Sequence, residues 1–136
     1  MINQYALITG ASSGIGLEIS KCLAERGYSL ILVSRRKQRL EEIRDGLINE
    51  FKINADIIPA DLEDEKTPDL IYDYCKGKEY FVNLLVNNAG YALPKPFHET
   101  PMEDEEKFLR VLGISVVALT KSVSYTHLTL PTILLV

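Results

Sequence analysis

The sequence contains no tryptophan and only two cysteines among its 136 residues. Cys22 and Cys75 lie far apart and form neither a Cys-x-x-Cys motif nor a metal-ligand spacing. We therefore interpret both as small apolar residues of the interior in a reducing compartment. One further candidate, His98, has no acidic partner or ligand cluster in the sequence, so no metal or catalytic role is predicted for it.

The chain also lacks an excess of positive charge and any long apolar run. Its formal net charge of −4 gives no reason to expect nucleic acid or an anionic membrane surface as a partner. No apolar segment is long enough to span a bilayer, and no basic region precedes an apolar stretch at the N-terminus. These absences favour a cytoplasmic location and leave small neutral or anionic ligands open.

A glycine-rich segment follows the first apolar run. Residues 9–16 read TGASSGIG and stand between an apolar stretch and a helical pattern. Gly10 can adopt backbone angles closed to other residues, Gly14 allows close approach of a pyrophosphate, and Gly16 allows the helix to pack tightly on the strand. Free amide groups at the start of the helix, backed by a dipole of about half a positive charge, favour an anion there. The segment therefore predicts a phosphate-binding turn.

Strand-like and helix-like patterns alternate through the chain, which predicts an α/β fold with helices on both faces of a parallel sheet. The predicted strands are 5–9, 30–34, 55–60 and 81–86, and the predicted helices begin after Gly14, span 37–51 and 64–76, and begin again at Met102. In the first helix, Ile15, Ile19 and Leu23 share one face. A chain of this length can bury one core, so one domain is the upper limit.

A second motif, Asn-Asn-Ala-Gly at residues 87–90, directly follows the fourth predicted strand. Together with Thr9 and the G-x-x-x-G-x-G spacing, it resembles the short-chain dehydrogenase/reductase family. The resemblance implies a Rossmann-like doubly wound parallel sheet of order 3-2-1-4, here truncated after the fourth strand and the helix that follows it. It also implies a parent NAD(P)-dependent oxidoreductase, a homo-oligomer, that acts on a small carbonyl or alcohol substrate.

The resemblance assigns cofactor contacts at the ends of all four strands. The implied cofactor-binding residues are Gly10, Ser12, Ser13, Gly14, Ile15, Gly16, Arg35, Arg36, Asp61, Leu62, Asn88, Ala89 and Gly90. Arg35 and Arg36 follow the second strand, where an acidic residue would select NAD and arginine would neutralise the 2′-phosphate of NADP. NADP is therefore favoured over NAD. The alternative is that these arginines belong to a solvated basic turn.

The other assignments have simpler alternatives too. Asp61 is expected to face the exocyclic amine of adenine, although an Asp before an acidic helix also serves as an N-terminal cap. The family places Asn88, Ala89 and Gly90 against the ribose and nicotinamide. By the same resemblance, Asn87 would bind backbone groups and brace the sheet, although the four residues taken alone indicate only a turn.

The family performs hydride transfer with a tyrosine, a lysine four residues later, a serine and often an asparagine. Tyr72 and Lys76 have this spacing but precede the Asn-Asn-Ala-Gly corner, whereas the family's pair follows it. Tyr91 and Lys95 follow the corner, but the intervening Pro94 prevents a helical turn, so they are interpreted as loop residues. We therefore expect no catalytic pair in this chain.

The last helix is similar to the family segment that carries the auxiliary asparagine. In this alignment Ser115 occupies that position, and a shifted alignment places Gly113 there. Neither residue is an asparagine. The departure puts in doubt whether the parent uses the four-residue version of the site.

The C-terminal segment does not fit the pattern of the family. Residues 123–132 read VSYTHLTLPT, which can be a translation of a nucleotide string resembling the transposase end and adapter used to tag DNA for sequencing. We therefore predict that the natural sequence ends at Ser122, that 1–122 is a partial NAD(P)-binding domain and that 123–136 is a non-native tail. The alternative is a genuine strand, because the segment is rich in threonine and β-branched residues.

Two other functions remain as alternatives. A non-catalytic module that binds or senses NADP would share every cofactor motif, and a naturally short reading frame would favour it. A methyltransferase-like fold also places glycines after its first strand, but it would want an acidic residue where Arg35 stands. The favoured hypothesis is an oxidoreductase fragment that supplies cofactor recognition only.

Overall fold

The computed structural model describes residues 4–126, which form a single four-stranded parallel sheet with helices on both faces. The strands are β1 (Gln4–Thr9), β2 (Ser29–Ser34), β3 (Ala55–Pro59) and β4 (Phe81–Val86). Their spatial order is β3-β2-β1-β4. This confirms the predicted doubly wound sheet and its reversal point beside β1.

Five α-helices connect and cover the strands. They are α1 (Gly14–Glu25), α2 (Lys37–Phe51), α3 (Thr67–Gly77), α4 (Met102–Leu109) and α5 (Ser115–Thr126), with one π-helical turn, Arg110–Ile114, between α4 and α5 and a short 3₁₀ turn at Phe97–Glu99. The predicted helix 64–76 begins later because Pro68 stands in the first turn of α3, where its missing N–H costs nothing. The predicted long helix from Met102 is interrupted by the π-helical turn.

Two apolar cores lie on opposite faces of the sheet. Leu7 and Ile31 point into the core beneath α3 and α5, whereas Ile8 and Leu32 point into the core beneath α1 and α2. All four side chains are almost completely buried. Each contributes on the order of 2 kcal/mol through burial, and the alternation along β1 and β2 explains why both strands are continuous apolar runs.

The buried face of α1 is made of small residues. Its buried residues are Gly16, Ser20 and Ala24, whereas Ile15 is 73% exposed. Small side chains on this face let the helix axis approach β1 closely, and the Ser20 hydroxyl donates to the Gly16 carbonyl at 2.8 Å. Ile15 is therefore turned outward, whereas Leu17 and Leu23 are half-buried against the core beneath α1 and α2. Cys22 is exposed, which differs from the predicted buried or half-buried position.

Helix α5 continues past Ser122 to Thr126. Val123, the first residue of the predicted tail, is only 6% exposed and packs in the core with Ile71 and Leu119. The described part of the tail is thus helical, not a strand, and residues 127–136 lie outside the described residues. That the natural sequence ends at Ser122 stays a prediction.

Candidate functional site

A cleft of about 520 Å³ opens at the carboxyl ends of the strands, beside the reversal point of the sheet. This is where open α/β sheets bind ligands, and the volume falls in the range of small-molecule sites. All the predicted cofactor-binding residues line it except Gly16. The structure therefore brings together side chains from four separate loops that the sequence singled out by motif.

The glycine turn offers backbone donors to this cleft. Gly10 has φ +66° and Gly14 has φ +56°, both in the left-handed region that disfavours side chains. Ser13 is the N-cap of α1 but its side chain makes no capping hydrogen bond, and no acidic residue stands in the first turn. The first amide groups of α1 thus keep their capacity to bind an anion.

Gly16 lies beneath the turn rather than on the cleft surface. A Cβ atom at this position would stand 2.2 Å from the Gly10 carbonyl oxygen and 2.4 Å from the Asn88 Nδ2 atom. Contacts this short do not occur, so only glycine fits. Its role is to let α1 and the glycine turn pack against each other, as the spacing of the motif indicated.

The Asn-Asn-Ala-Gly corner is tied directly to the glycine turn. The Asn88 side-chain amide donates to the carbonyl oxygens of Thr9 and Gly10, each at 3.2 Å. The Thr9 hydroxyl accepts from the backbone amides of Asn88 and Ala89, each at 3.0 Å. Thr9 and the Asn88 side chain therefore fix the position of β4 relative to the phosphate-binding turn.

This arrangement corrects the role predicted for Asn87. Its side-chain amide donates to the Thr120 hydroxyl of α5 at 3.1 Å, whereas Asn88 makes the backbone contacts that brace the strand ends. Successive residues at the end of a strand point to opposite faces. Asn87 therefore faces the α5 side, and Asn88 faces the glycine turn.

Basic side chains close the β2 side of the cleft. Arg35 and Arg36 both line it, and the Arg36 guanidinium donates to the Ser12 hydroxyl at 3.1 Å. Arg39, which sequence reasoning missed, donates from Nε to the Ser12 carbonyl at 3.4 Å. Arg36 and Arg39, at the start of α2, thus hold the glycine turn. The only signal for Arg39 in the sequence is its position one helical turn after Arg36.

Asp61 stabilises its own loop instead of capping a helix. Its Oδ1 atom accepts from the Glu63 amide at 2.9 Å, and α3 begins only at Thr67, after Lys66. The alternative prediction of an N-terminal cap is therefore wrong for α3. The side chain remains in the cleft wall beside Leu62, which is 7% exposed.

The geometry agrees with comparisons to known proteins. A family profile described as short chain dehydrogenase matches residues 4–129. The chain belongs to the short-chain dehydrogenase family. The chain is similar to a short-chain dehydrogenase from Sphingobium yanoikuyae in complex with NADPH, with a TM-score of 0.83 and 30% identity over 90% of this chain and 47% of that one.

Of two relatives of this short-chain dehydrogenase chain, one is named as a reductase and the other as an inactive protein. A very-long-chain 3-oxoacyl-CoA reductase of Candida glabrata is 32% identical over 89% of this chain and 35% of its own length. The inactive hydroxysteroid dehydrogenase-like protein 1 of Homo sapiens is 33% identical over 96% of this chain and 39% of its own. The chain therefore spans little more than a third of the length of these relatives.

Ser115, the candidate for the auxiliary asparagine position, is the first residue of α5. It is 2% exposed, and its hydroxyl donates to the Val111 carbonyl of its own helix at 2.8 Å. It is also not among the residues that line the cleft. Leu112, in the π-helical turn, lies close to the corner, since a Cβ at Gly90 would stand 2.9 Å from its Cδ2 atom. That Ser115 stands where the family carries its auxiliary asparagine stays a prediction.

The tyrosine–lysine pairs of this short-chain dehydrogenase chain lie as the sequence indicated, with one addition. Lys76 stands 5.9 Å from the centre of the Tyr72 ring, on α3 and outside the cleft. Tyr91 and Lys95 lie in a loop without helical geometry. Tyr91 nevertheless lines the cleft, which its classification as an ordinary loop residue missed.

Two further findings bear on the site. None of the helices within residues 4–126 is long and apolar enough to cross a bilayer. The same stretch contains no group of three His, Cys, Asp or Glu side chains placed to hold a metal ion.

Proposed function

We propose that this chain binds NADP(H) and belongs to an oxidoreductase that transfers hydride between this cofactor and a carbonyl or alcohol substrate. The pyrophosphate would lie on the free amides of α1, the adenosine 2′-phosphate near Arg35 and Arg36, and the adenine against Asp61 and Leu62. The nicotinamide half would then extend toward the Asn-Asn-Ala-Gly corner. The chain itself would supply cofactor recognition.

One observation carries the proposal: the uncapped start of α1, in a turn with two left-handed glycines, opens into the same cleft as Arg35 and Arg36. Backbone donors suit a bridging diphosphate, and guanidinium groups suit the further phosphate that distinguishes NADP from NAD. The NADPH complex of the Sphingobium yanoikuyae relative supports the same cofactor class.

The proposed reaction consists of a hydride transfer and a proton transfer. In the reducing direction, hydride passes from the nicotinamide to the carbonyl carbon and a proton passes to the carbonyl oxygen, which leaves an alcohol and the oxidised cofactor. This chain orients the cofactor for the first transfer. The proton would come from residues of the longer parent, because the cleft of residues 4–126 contains no tyrosine with a lysine four positions later on a helix.

The test reverses the charge of the side chain that would face the 2′-phosphate on the cofactor's ribose. For Arg35→Asp we expect the affinity for NADPH to fall by at least about tenfold, since a forked ion pair becomes a repulsion, while the affinity for NADH changes by less than about threefold. Cofactor fluorescence titration measures both. Arg26→Asp is the matched control, because Arg26 makes the same charge change at the far end of α1. Equal losses for both cofactors in Arg35→Asp would refute the assigned role.

A non-catalytic NADP-binding module is the second candidate, and the relationship to an inactive human relative favours keeping it. Both candidates require cofactor binding. They separate when the uninterrupted gene is expressed: a parent that binds NADPH but oxidises none of it with a panel of ketones and aldehydes would support the module.

A further inference from the structure

The helical segment that begins at Met102 contacts both ends of the Asn-Asn-Ala-Gly corner. At the first residue of the corner, the Asn87 side-chain amide donates to the Thr120 hydroxyl of α5 at 3.1 Å. At its last residue, a Cβ atom added to Gly90 would stand 2.9 Å from the Cδ2 atom of Leu112. One helical segment therefore supports the corner at two points.

The corner itself is a tight turn with Asn87 at its centre. The Asn88 amide donates to the Val86 carbonyl at 3.1 Å, which closes a three-residue turn around Asn87. The same amide lies 3.0 Å from the Thr9 hydroxyl on the side of the glycine turn. Because Asn87 is the central residue of this turn, fixing its side chain also fixes the peptide planes on either side of it.

The π-helical turn determines which residues of the helical segment face the corner. Val111 lies in this turn and lines the cleft, and Thr120 follows nine residues later on α5. In an unbroken α-helix of 3.6 residues per turn, residues nine apart point to opposite sides. The wider π-helical turn takes up roughly one extra residue, which rotates everything after it by about 100°. The interruption therefore lets one segment line the cleft with Val111 and bind Asn87 with Thr120.

We infer that Thr120 is a positioning residue for the nicotinamide half of the cofactor and acts through Asn87 on the corner. The inference rests on the proposed function, in which the nicotinamide half extends toward the corner. Neither Thr120 nor Asn87 is among the residues that line the cleft. The residues that follow Asn87 do line it, namely Asn88, Ala89 and Gly90. Without the Thr120 hydrogen bond, the backbone of these three residues would face the nicotinamide and its ribose in more than one position.

This role predicts an effect on only one half of the cofactor. The side chains proposed for the adenosine half follow β2 and β3, whereas the hydrogen bond to Thr120 acts at the end of β4. Strand β1 separates β2 from β4, a distance of two strand spacings or about 10 Å. Loss of the hydrogen bond should therefore weaken binding of NADPH. It should leave binding of 2′,5′-ADP, which carries the adenosine half without the nicotinamide, unchanged.

Thr120→Val is the decisive variant because it keeps the shape of the side chain and removes the acceptor of the Asn87 amide. Isothermal titration calorimetry of the full chain should show the affinity for NADPH falling by about three- to tenfold. The affinity for 2′,5′-ADP should change by less than about twofold. Thr120→Ser restores the hydroxyl and should bind NADPH within about twofold of the wild type.

Asn87→Leu removes the other partner of the same hydrogen bond. It should give the same selective loss of NADPH affinity, and the double variant should be no worse than either single one. This variant provides the same test if Thr120→Val does not fold. Ser122→Ala is the matched control, because it removes a hydroxyl of α5 that donates to the Ala118 carbonyl of the same helix at 2.9 Å. It should bind both ligands as the wild type does.

The outcomes separate this role from the proposed function. If the wild-type chain binds NADPH and both Thr120→Val and Asn87→Leu bind it with the wild-type affinity, the role of Thr120 is refuted and the proposed function stands. Equal losses of affinity for NADPH and 2′,5′-ADP would also refute it, because a general disturbance of the fold would explain them. If the wild-type chain binds neither ligand, the proposed function fails and the role of Thr120 fails with it.

Discussion

At the residue scale, two glycines of this chain show that the same residue type serves opposite purposes. Gly16 is enclosed, and an added Cβ would collide with the Gly10 carbonyl oxygen, a backbone atom that Asn88 holds in place. Gly46 stands in the middle of α2 with nothing within 4 Å of an added Cβ. Packing at position 16 requires a residue without a side chain, whereas at position 46 the absence of a side chain serves no packing contact.

We therefore expect Gly16→Ala and Gly46→Ala to change the free energy of unfolding in opposite directions. Gly16→Ala should lower it by about 2 to 3 kcal/mol through overpacking, and should weaken NADPH binding because the glycine turn must shift. Gly46→Ala should raise it by about 0.5 to 1 kcal/mol, because alanine reduces the entropy of the unfolded chain. Urea denaturation measures both. A Gly16→Ala protein as stable as the wild type would contradict the close packing of α1 on β1.

The same scale shows what the sequence could predict about the site. The glycine turn and Arg35 were predictable because their chemistry depends on local backbone angles and on position after a strand. The roles of Thr9 and Arg39 were not, because their partners Asn88 and Ser12 come from other segments of the chain. Only the fold brings those atoms within hydrogen-bonding distance.

At the element scale, a half-buried carboxylate on the outer strand β3 connects this strand with other segments of the chain. Asp56 accepts hydrogen bonds from the hydroxyls of Tyr74, on α3, and Tyr80, which precedes β4, each at 2.8 Å on the same oxygen. The Tyr80 ring also packs on Tyr5 of β1, with ring centres 4.2 Å apart. One side chain thus connects β3 with α3 and with the segment leading into β4.

This cluster predicts a loss of stability at both ends of the pH range. Burial alone would raise the pKa of Asp56, but hydrogen bonds from Tyr74 and Tyr80 outweigh it and lower that pKa. Because the pKa of Asp56 is lower in the folded than in the unfolded chain, the ionised carboxylate stabilises the fold above about pH 4. This stabilisation is lost as the pH falls from about 4 through the lowered pKa. Burial and Asp56 raise the pKa of Tyr74 to about 12, so its contribution is lost between about pH 10 and 12.

Asp56→Asn should therefore reduce the urea midpoint at pH 7. The midpoint should also decline less steeply in acid and in base, because the variant lacks both the carboxyl group that titrates in acid and the negative charge that opposes ionisation of the tyrosines. Asp45→Asn is the control, since Asp45 is an exposed carboxylate of α2 that bonds only its neighbour Arg44 in the contacts described. An Asp56→Asn protein with the wild-type pH profile would show that the cluster contributes nothing to the pH dependence.

The helices of this chain also show what the spacing of apolar residues does not predict. The spacing of Ile15, Ile19 and Leu23 is helical, but the fully buried residues of α1 are the small Gly16, Ser20 and Ala24. At Gly16 the Gly10 carbonyl and the Asn88 side chain leave no room for a Cβ atom. Likewise, the apolar pattern after Met102 indicated one helix, and a π-helical turn rotates its second half. Periodicity predicts that a helix exists. Which face it buries depends on how closely its neighbour approaches.

At the scale of the whole molecule, the order of the sheet was predictable because a right-handed crossover and a glycine turn after β1 leave few alternatives. Its consequences for the surface were not. Among the described residues no strand pairs with the outer edge of β4, and Ile114 and Val117 are 54% and 66% exposed. An unpaired strand edge and exposed apolar side chains both favour contact between copies of a chain.

We expect the polypeptide to self-associate with increasing concentration. The double variant Ile114→Lys, Val117→Lys should shift sedimentation velocity profiles toward the monomer without lowering the urea midpoint. Lysine is the stringent choice because two lysines bring the net charge from −4 to −2, and a smaller net charge by itself favours association. The control adds the same charge at exposed polar positions, as Asn49→Lys with Asn54→Lys. If both double variants lose association equally, charge and not the apolar surface is responsible. A wild-type chain that remains monomeric at high concentration would show that neither the β4 edge nor the exposed side chains of the last helices drive contact between copies.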